Sequence, residues 1–140
     1  MHIRAFREDE DYDCFAQYCA EHGKLAPPRD LLPRAGLVVC QRGAQGGATE
    51  ERKLAFVWIY KDPSSAMAWL GWLTTAYGLG PKAAREVCGF AVRMALDLAR
   101  ANGARVVFTE TQSGGLRRLY ERLGARVTHP TNVQLAWALS

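Results

Sequence analysis

Several common functional signatures are missing from this sequence. Its four cysteines, Cys14, Cys19, Cys40 and Cys88, include no CxxC pair and have no histidines at metal-ligand spacing, so no metal site is expected. Each stands among apolar neighbours in a periodic segment, as reduced core cysteines do. No tract is both long and uncharged enough to span a bilayer, which excludes a membrane partner of that kind. The first residues lack the apolar core and small-residue cleavage site of a secretory signal, so the expected location is cytoplasmic. There is no dense Lys/Arg cluster: the formal net charge of +4 favours an anionic ligand without marking a nucleic-acid binder. Internal repeats and low-complexity segments are absent. No Asp-His-Ser arrangement involves His2, His22 or His129, and these three are assigned no role.

What is present is an ordinary globular composition, with 49% apolar and 23% charged residues over 140 positions. That length suits one domain, residues 1–140, with enough core to fold without staples. Residues 3–6 read as a strand. The acids Glu8 to Asp11 then suit a helix start, where the dipole favours negative charge, and Tyr12, Phe15, Ala16 and Cys19 supply its apolar face up to Gly23. Pro27, Pro28 and Pro33 break the chain into a loop with a short turn at 29–32, a loop that reads as mobile. Runs 36–41 and 54–60 form a hairpin around the turn 43–49. A third antiparallel strand, 67–75, follows the turn 62–65. Trp58 and Tyr60 share a face by alternation, whereas Trp69 and Trp72 fall on opposite faces. The longest helix runs from about 82 to 101, opened by Pro81 and closed by Gly103. Strand 105–111, a second amphipathic helix through Leu116, Leu119, Tyr120 and Leu123, and strands 126–128 and 133–139 complete the chain. The fold class is therefore mixed α/β, with strands 67–75 and 105–111 parallel across the long helix.

The junction Thr75-Ala76-Tyr77-Gly78-Leu79-Gly80-Pro81-Lys82 carries the most chemistry. Glycines allow a ligand close to the backbone, a helix start offers unpaired N–H groups to phosphate, and Lys82 and Arg85 add positive charge. A plain turn is the competing reading, because Pro81 removes one donor.

A second segment, Ser113-Gly114-Gly115-Leu116-Arg117-Arg118-Leu119-Tyr120-Glu121-Arg122-Leu123-Gly124, resembles the motif Asn-x-x-Ala-x-x-Leu-Tyr-x-x-x-Gly-Phe of the GNAT acetyltransferases. Element order resembles that family along the whole chain. The resemblance implies the GNAT acyl-CoA N-acyltransferase fold, a mixed sheet with a parallel strand-helix-strand core flanked by helices. It implies acetyl-CoA or another acyl-CoA as cofactor, with Leu73, Thr74 and Thr75 along its pantetheine arm. Gly78, Leu79, Gly80, Lys82, Ala83 and Arg85 would hold its phosphates, and Ser113 opens the second motif. Tyr120 is then the general acid to the departing thiolate, against the alternative of a core tyrosine. Glu110, at the end of the parallel strand, is the candidate general base, with Asp62 a second choice.

The sequence departs from the family at Thr75 (Gln or Arg in the family), Pro81, Ser113 (Asn) and Ala125 (Phe), in the manner of divergent phage and bacterial GNAT-like proteins. The implied activity is direct acyl transfer to an amine on a small molecule or protein, by a monomer or homodimer. The alternatives are an inactive GNAT-like binding module or a GNAT-like enzyme that modifies nucleic acid.

Overall fold

A computed structural model describes residues 1–43, 50–129 and 134–139. The turn expected at 43–49, the turn after His129 and the start of the last strand thus fall largely outside the described residues.

The elements follow the expected order. They are β1 (His2–Ala5), α1 (Glu8–Glu21), a 3-10 turn (Arg29–Leu31), β2 (Ala35–Arg42), β3 (Glu51–Lys61) and β4 (Met67–Thr75). Then come α2 (Pro81–Ala101), β5 (Val106–Glu110), α3 (Gly114–Arg122), β6 (Arg126–His129) and β7 (Gln134–Ala138). All seven strands join one sheet in the order β1-β2-β3-β4-β5-β7-β6. Among the described residues only β4 and β5 pair in parallel, through Met67↔Val106, Ala68↔Val107 and Trp69↔Phe108. The last strand inserts between β5 and β6, an arrangement that local propensity does not encode.

Each sheet face has its own core. Helix α2 lays Val87, Ala91, Val92 and Ala95 on a layer that includes Val57, Ile59 and Leu70, joined by Leu119 and Tyr120 of α3. The small residues of α2 let it approach the sheet closely. On the other face, Phe15 and Cys19 of α1 pack on Val38, Phe56 and Trp58. Strand β3 is central and buried on both faces from Leu54 to Ile59. Its neighbour Gly36 is required by packing: a Cβ there would lie 2.5 Å from Trp58 Nε1 and 2.8 Å from Phe6 Cβ. Trp58 and Tyr60 diverge in burial, since Trp58 is covered by α1 whereas Tyr60 extends beyond it and is exposed.

The acids Glu8 to Asp11 do form the first turn of α1, and the last of them, Asp11, is also a fully buried carboxylate. Arg4 donates to its two oxygens at 2.7 and 2.8 Å, Lys53 lies at 2.8 Å, and the Arg7 amide donates at 2.7 Å. This network ties α1 to β1 and β3. It continues to Glu51, which Arg4 Nε reaches at 2.7 Å and His2 at 3.3 Å. Glu51 also lies near Cys40, and the ligand atoms of His2, Cys40 and Glu51 stand within 4.8 Å of one another. Sequence spacing could not bring these three together, because they lie on separate strands. The Arg4 guanidinium on the same carboxylate makes this group part of the ion-pair network. All four thiols are free, and Cys19, Cys40 and Cys88 are buried.

Candidate active site

The site originates in a break between β4 and β5. Their ladder ends after Trp69↔Phe108, and at that point the Thr109 hydroxyl donates to the Leu70 carbonyl at 2.9 Å. Beyond it the strands separate around a cavity of about 830 Å³. One wall is β4 from Leu70 to Thr74, the other runs from Thr109 to Ser113, and Leu116, Tyr120 and Lys24 close it. The backbone edge of β4 facing this gap has lost its strand partner.

A bulge in β4 accompanies the separation. Phe56 pairs with Thr74 and Trp58 with Gly71, so Trp72 and Leu73 together oppose Val57. Trp72 takes φ 56°, the left-handed region, the one positive φ at a non-glycine residue among those described. For a bulky side chain this conformation costs about 1–2 kcal/mol, and such strain concentrates at functional sites. Nothing in the composition of β4 announces the bulge, since its one glycine, Gly71, precedes it. The pairing with β3 is regular from Trp69 to Gly71, and the two-residue alternation is interrupted only at Trp72 and Leu73. The Trp69 and Trp72 rings are exposed, at 37% and 44%, with Trp69 against Phe108 at 5.2 Å and Trp72 on the cavity wall.

Tyr120 reaches the cavity from α3 and is only 2% exposed. Trp137 of β7 holds its ring edge-on at 5.3 Å, and the Trp137 indole N–H is itself fixed on the Leu123 carbonyl at 3.1 Å. Burial pushes the phenol pKa well above its usual value, the nearby Cys88 adds to this, and Thr109 opposes it. The hydroxyl therefore keeps its proton at neutral pH and far above it. Ser113 caps α3, its Oγ accepting from the Leu116 amide at 3.3 Å, while Thr111 Oγ accepts from the Ser113 amide at 3.0 Å. Glu110 ends β5 exposed on the cavity wall. Asp62, by contrast, lies at the opposite end of β4 and uses its carboxylate to cap its own turn through Ser64, which holds its pKa below the usual range. It is removed as a candidate base.

The structure thus brings together Leu73, Thr74, Glu110, Ser113 and Tyr120 around one cavity. Thr75, Gly78, Leu79, Gly80, Lys82, Ala83 and Arg85 stand apart, at and after the end of β4. Gly78 takes φ 81°, which favours glycine, and Leu79 packs on the core. Gly80 is different: its φ of −62° suits any residue, and a Cβ there would meet nothing within 4 Å. No side chain caps α2, and Pro81 occupies its first position, so the Lys82 and Ala83 amides are left as free donors of the first turn. Lys82 and Arg85 are exposed beside them. One contact escaped sequence reasoning. His22, at the end of α1, lies with Nε2 2.9 Å from the Thr75 carbonyl and its ring 5.7 Å from Tyr77.

Neither protein-family models nor curated proteins match this sequence. Solved structures do match. The aminoglycoside 6'-N-acetyltransferase from Enterococcus faecium superposes with a TM-score of 0.74 at 10% identity, over 99% of this chain and 97% of that one. Rv2747 from Mycobacterium tuberculosis, in complex with CoA, gives 0.74 at 10% identity over all of both chains. A ribosomal-protein-alanine N-acetyltransferase from Brucella melitensis gives 0.65 at 13%, over 99% of this chain and all of that one. The chain therefore has the GNAT acyl-CoA N-acyltransferase fold.

Proposed function

We propose that this protein is an acyl-CoA-dependent N-acyltransferase, with acetyl-CoA as donor and an amine on a small molecule or protein as acceptor. The observation that carries the proposal is the parted pair β4 and β5, with a cavity and a buried tyrosine between them. The neighbours' names point the same way, since two are N-acetyltransferases and another was solved with CoA.

The residues present fit such a donor. Glycine is itself a common helix N-cap, and at Gly80 the space where a Cβ would stand is open, so the backbone is accessible to a ligand. Bare amides at Lys82 and Ala83, the positive end of α2 and two exposed cations together suit a diphosphate. The unpaired edge of β4 offers peptide groups to the amides of a pantetheine arm, as one more strand would.

Bound acetyl-CoA supplies an activated thioester. The protein's part is to align it with the amine and hold protons where they are needed. Tyr120 donates a hydrogen bond to the sulfur as it leaves. Its raised pKa makes full proton transfer costly, so it acts chiefly by stabilising the developing thiolate. Glu110 accepts the proton that the acceptor ammonium must lose, directly or through water, so that the neutral amine can attack.

Calorimetry with acetyl-CoA and a thiol-release assay over a panel of amines test this reading. Saturable binding and amine-dependent thiol release are expected. An absence of binding at millimolar acetyl-CoA would overturn the proposal.

A further inference from the structure

The cavity between β4 and β5 already holds an amine that belongs to the protein. Lys24, an exposed residue, lines it together with Gly71, Glu110 and Tyr120. The other lysines of the chain are Lys53, Lys61 and Lys82, and each is placed differently. Lys53 lies 2.8 Å from the buried Asp11 carboxylate and donates to the Glu10 carbonyl at 2.7 Å. Lys61 donates to the Asp62 and Ser65 carbonyls. Lys82 stands on the first turn of α2, outside the cavity. The Lys24 ammonium has neither an ion pair nor a hydrogen bond among the described residues, so nothing there holds it away from the cavity.

The position of Lys24 is set by the end of α1 rather than by the proline-containing loop that follows. The Gly23 amide donates to the Ala20 carbonyl at 2.9 Å and the Lys24 amide to the Cys19 carbonyl at 2.8 Å, with Gly23 at φ 70°. This is the left-handed cap that closes a helix. The same helix end is docked on β4: the Cys19 sulfur lies 3.8 Å from Thr74 Oγ1, and His22 Nε2 lies 2.9 Å from the Thr75 carbonyl. The Lys24 backbone is thus pinned beside the part of β4 that has lost β5, while its four-carbon stem stays free to turn.

We infer that, when no acceptor occupies the cavity, bound acyl-CoA acylates Lys24 of the same molecule. This rests on the acyl-CoA reading and adds a self-modification site to it. An amine held in one cavity with a thioester meets it at an effective concentration far above that of an amine in solution. The Lys24 ammonium first gives up a proton, which Glu110 on the β5 wall accepts directly or through water. Nζ then attacks the acyl carbon. The C–N bond forms and the C–S bond breaks, its electron pair leaving with the sulfur beside Tyr120. Of the two protons lost from the ammonium, one ends on the CoA sulfur and the other in solvent, so no further reactant is needed. The product is an uncharged amide, and the cavity loses its lysine cation.

Peptide mapping by mass spectrometry of the wild-type protein incubated with acetyl-CoA and no added amine tests the inference. Lys24 should gain an acetyl group at least about tenfold faster than in the same chain unfolded in urea, which reports the purely chemical rate. The rate constant should not depend on protein concentration. Excess free CoA, by occupying the cavity, should suppress labelling of Lys24 and leave that of Lys61 unchanged. Labelling of Lys24 no faster than in urea, or insensitive to CoA, would overturn the inference. A rate constant that rises in proportion to protein concentration would also overturn it, by giving the reaction to a second copy. If acetyl-CoA binds by calorimetry and Lys24 stays unlabelled, the inference falls and the acyl-CoA reading stands; if acetyl-CoA does not bind, both fall.

Discussion

Replacing Gly80 with aspartate should move stability and cofactor binding in opposite directions. Gly80 is the N-cap of α2, at φ −62° and ψ 159°, a conformation open to any residue and favoured before proline. A Cβ there meets nothing, so the substitution has no steric cost. Less chain entropy is lost on folding, worth about 0.4–1 kcal/mol. A carboxylate at the positive end of a helix adds about 0.3–1 kcal/mol. Together these stabilise the fold by about 1 kcal/mol, which for a domain of this size raises Tm by about 3–4 °C. The same carboxylate faces the place proposed for a diphosphate. Unit like charges 4 Å apart repel by about 1 kcal/mol in water and about 4 kcal/mol near a protein surface. A diphosphate carries two, so affinity for acetyl-CoA should fall at least about tenfold even at the weak limit. Thermal unfolding followed by circular dichroism and calorimetric titration read the two effects separately. A lower Tm would contradict the open geometry at Gly80, and unchanged affinity would remove the diphosphate from this helix start.

Tyr120→Phe should slow turnover by more than about tenfold with acetyl-CoA affinity almost unchanged, and an unaltered kcat would remove Tyr120 from the mechanism. Because burial raises its pKa, the wild-type rate should show no falling limb from this phenol below pH ~10. Such a limb, lost in the Phe variant, would contradict its burial. Asp11→Ala strips a buried carboxylate from Arg4 and Lys53; as both cations keep some solvent access, the cost should be about 3 kcal/mol by urea unfolding, the lower end for a broken buried pair. The Asp11 pKa is held well below the usual carboxylate range, chiefly by Arg4 and Lys53 against the opposing effect of burial. Its contribution is thus fully present at neutral pH and is lost as pH falls below ~4, so wild-type and Ala stabilities should converge in acid. A difference that persists undiminished at low pH would place the effect in packing. Gly36→Ala forces a methyl against Trp58 and Phe6 and should cost about 1–3 kcal/mol; a neutral substitution would mean that the Trp58 ring moves freely.

Much of the architecture was legible from residue order. The spacing of Val87, Ala91, Ala95 and Leu98 marks α2, and the β-prone run into Trp69 marks β4 over its observed bounds, because hydrophobic periodicity is local information. The motif around Tyr120 was legible for the same reason: its spacing is that of a helix, and the helix is there. Asp11 was placed at the start of α1 but its burial was not foreseen, because a helical period shows which face a residue occupies but not which cations other strands bring to it. Trp72 was missed because a bulge arises from how β4 must pair with β3 while leaving β5, a demand of the sheet rather than of the segment.

By itself, then, the sequence settled most of which segments are helix and strand and that one parallel crossover links β4 to β5. Tertiary structure alone decided where β4 and β5 part, that Glu110, Ser113 and Tyr120 share a cavity while Asp62 lies at the far end of β4, and that Arg85, Arg118 and Arg122 line one recess between two helices. The physical reason is range. Periodicity and capping act over a few residues along the chain, whereas a cavity is defined by surfaces that fail to meet, and those surfaces come from residues far apart in sequence.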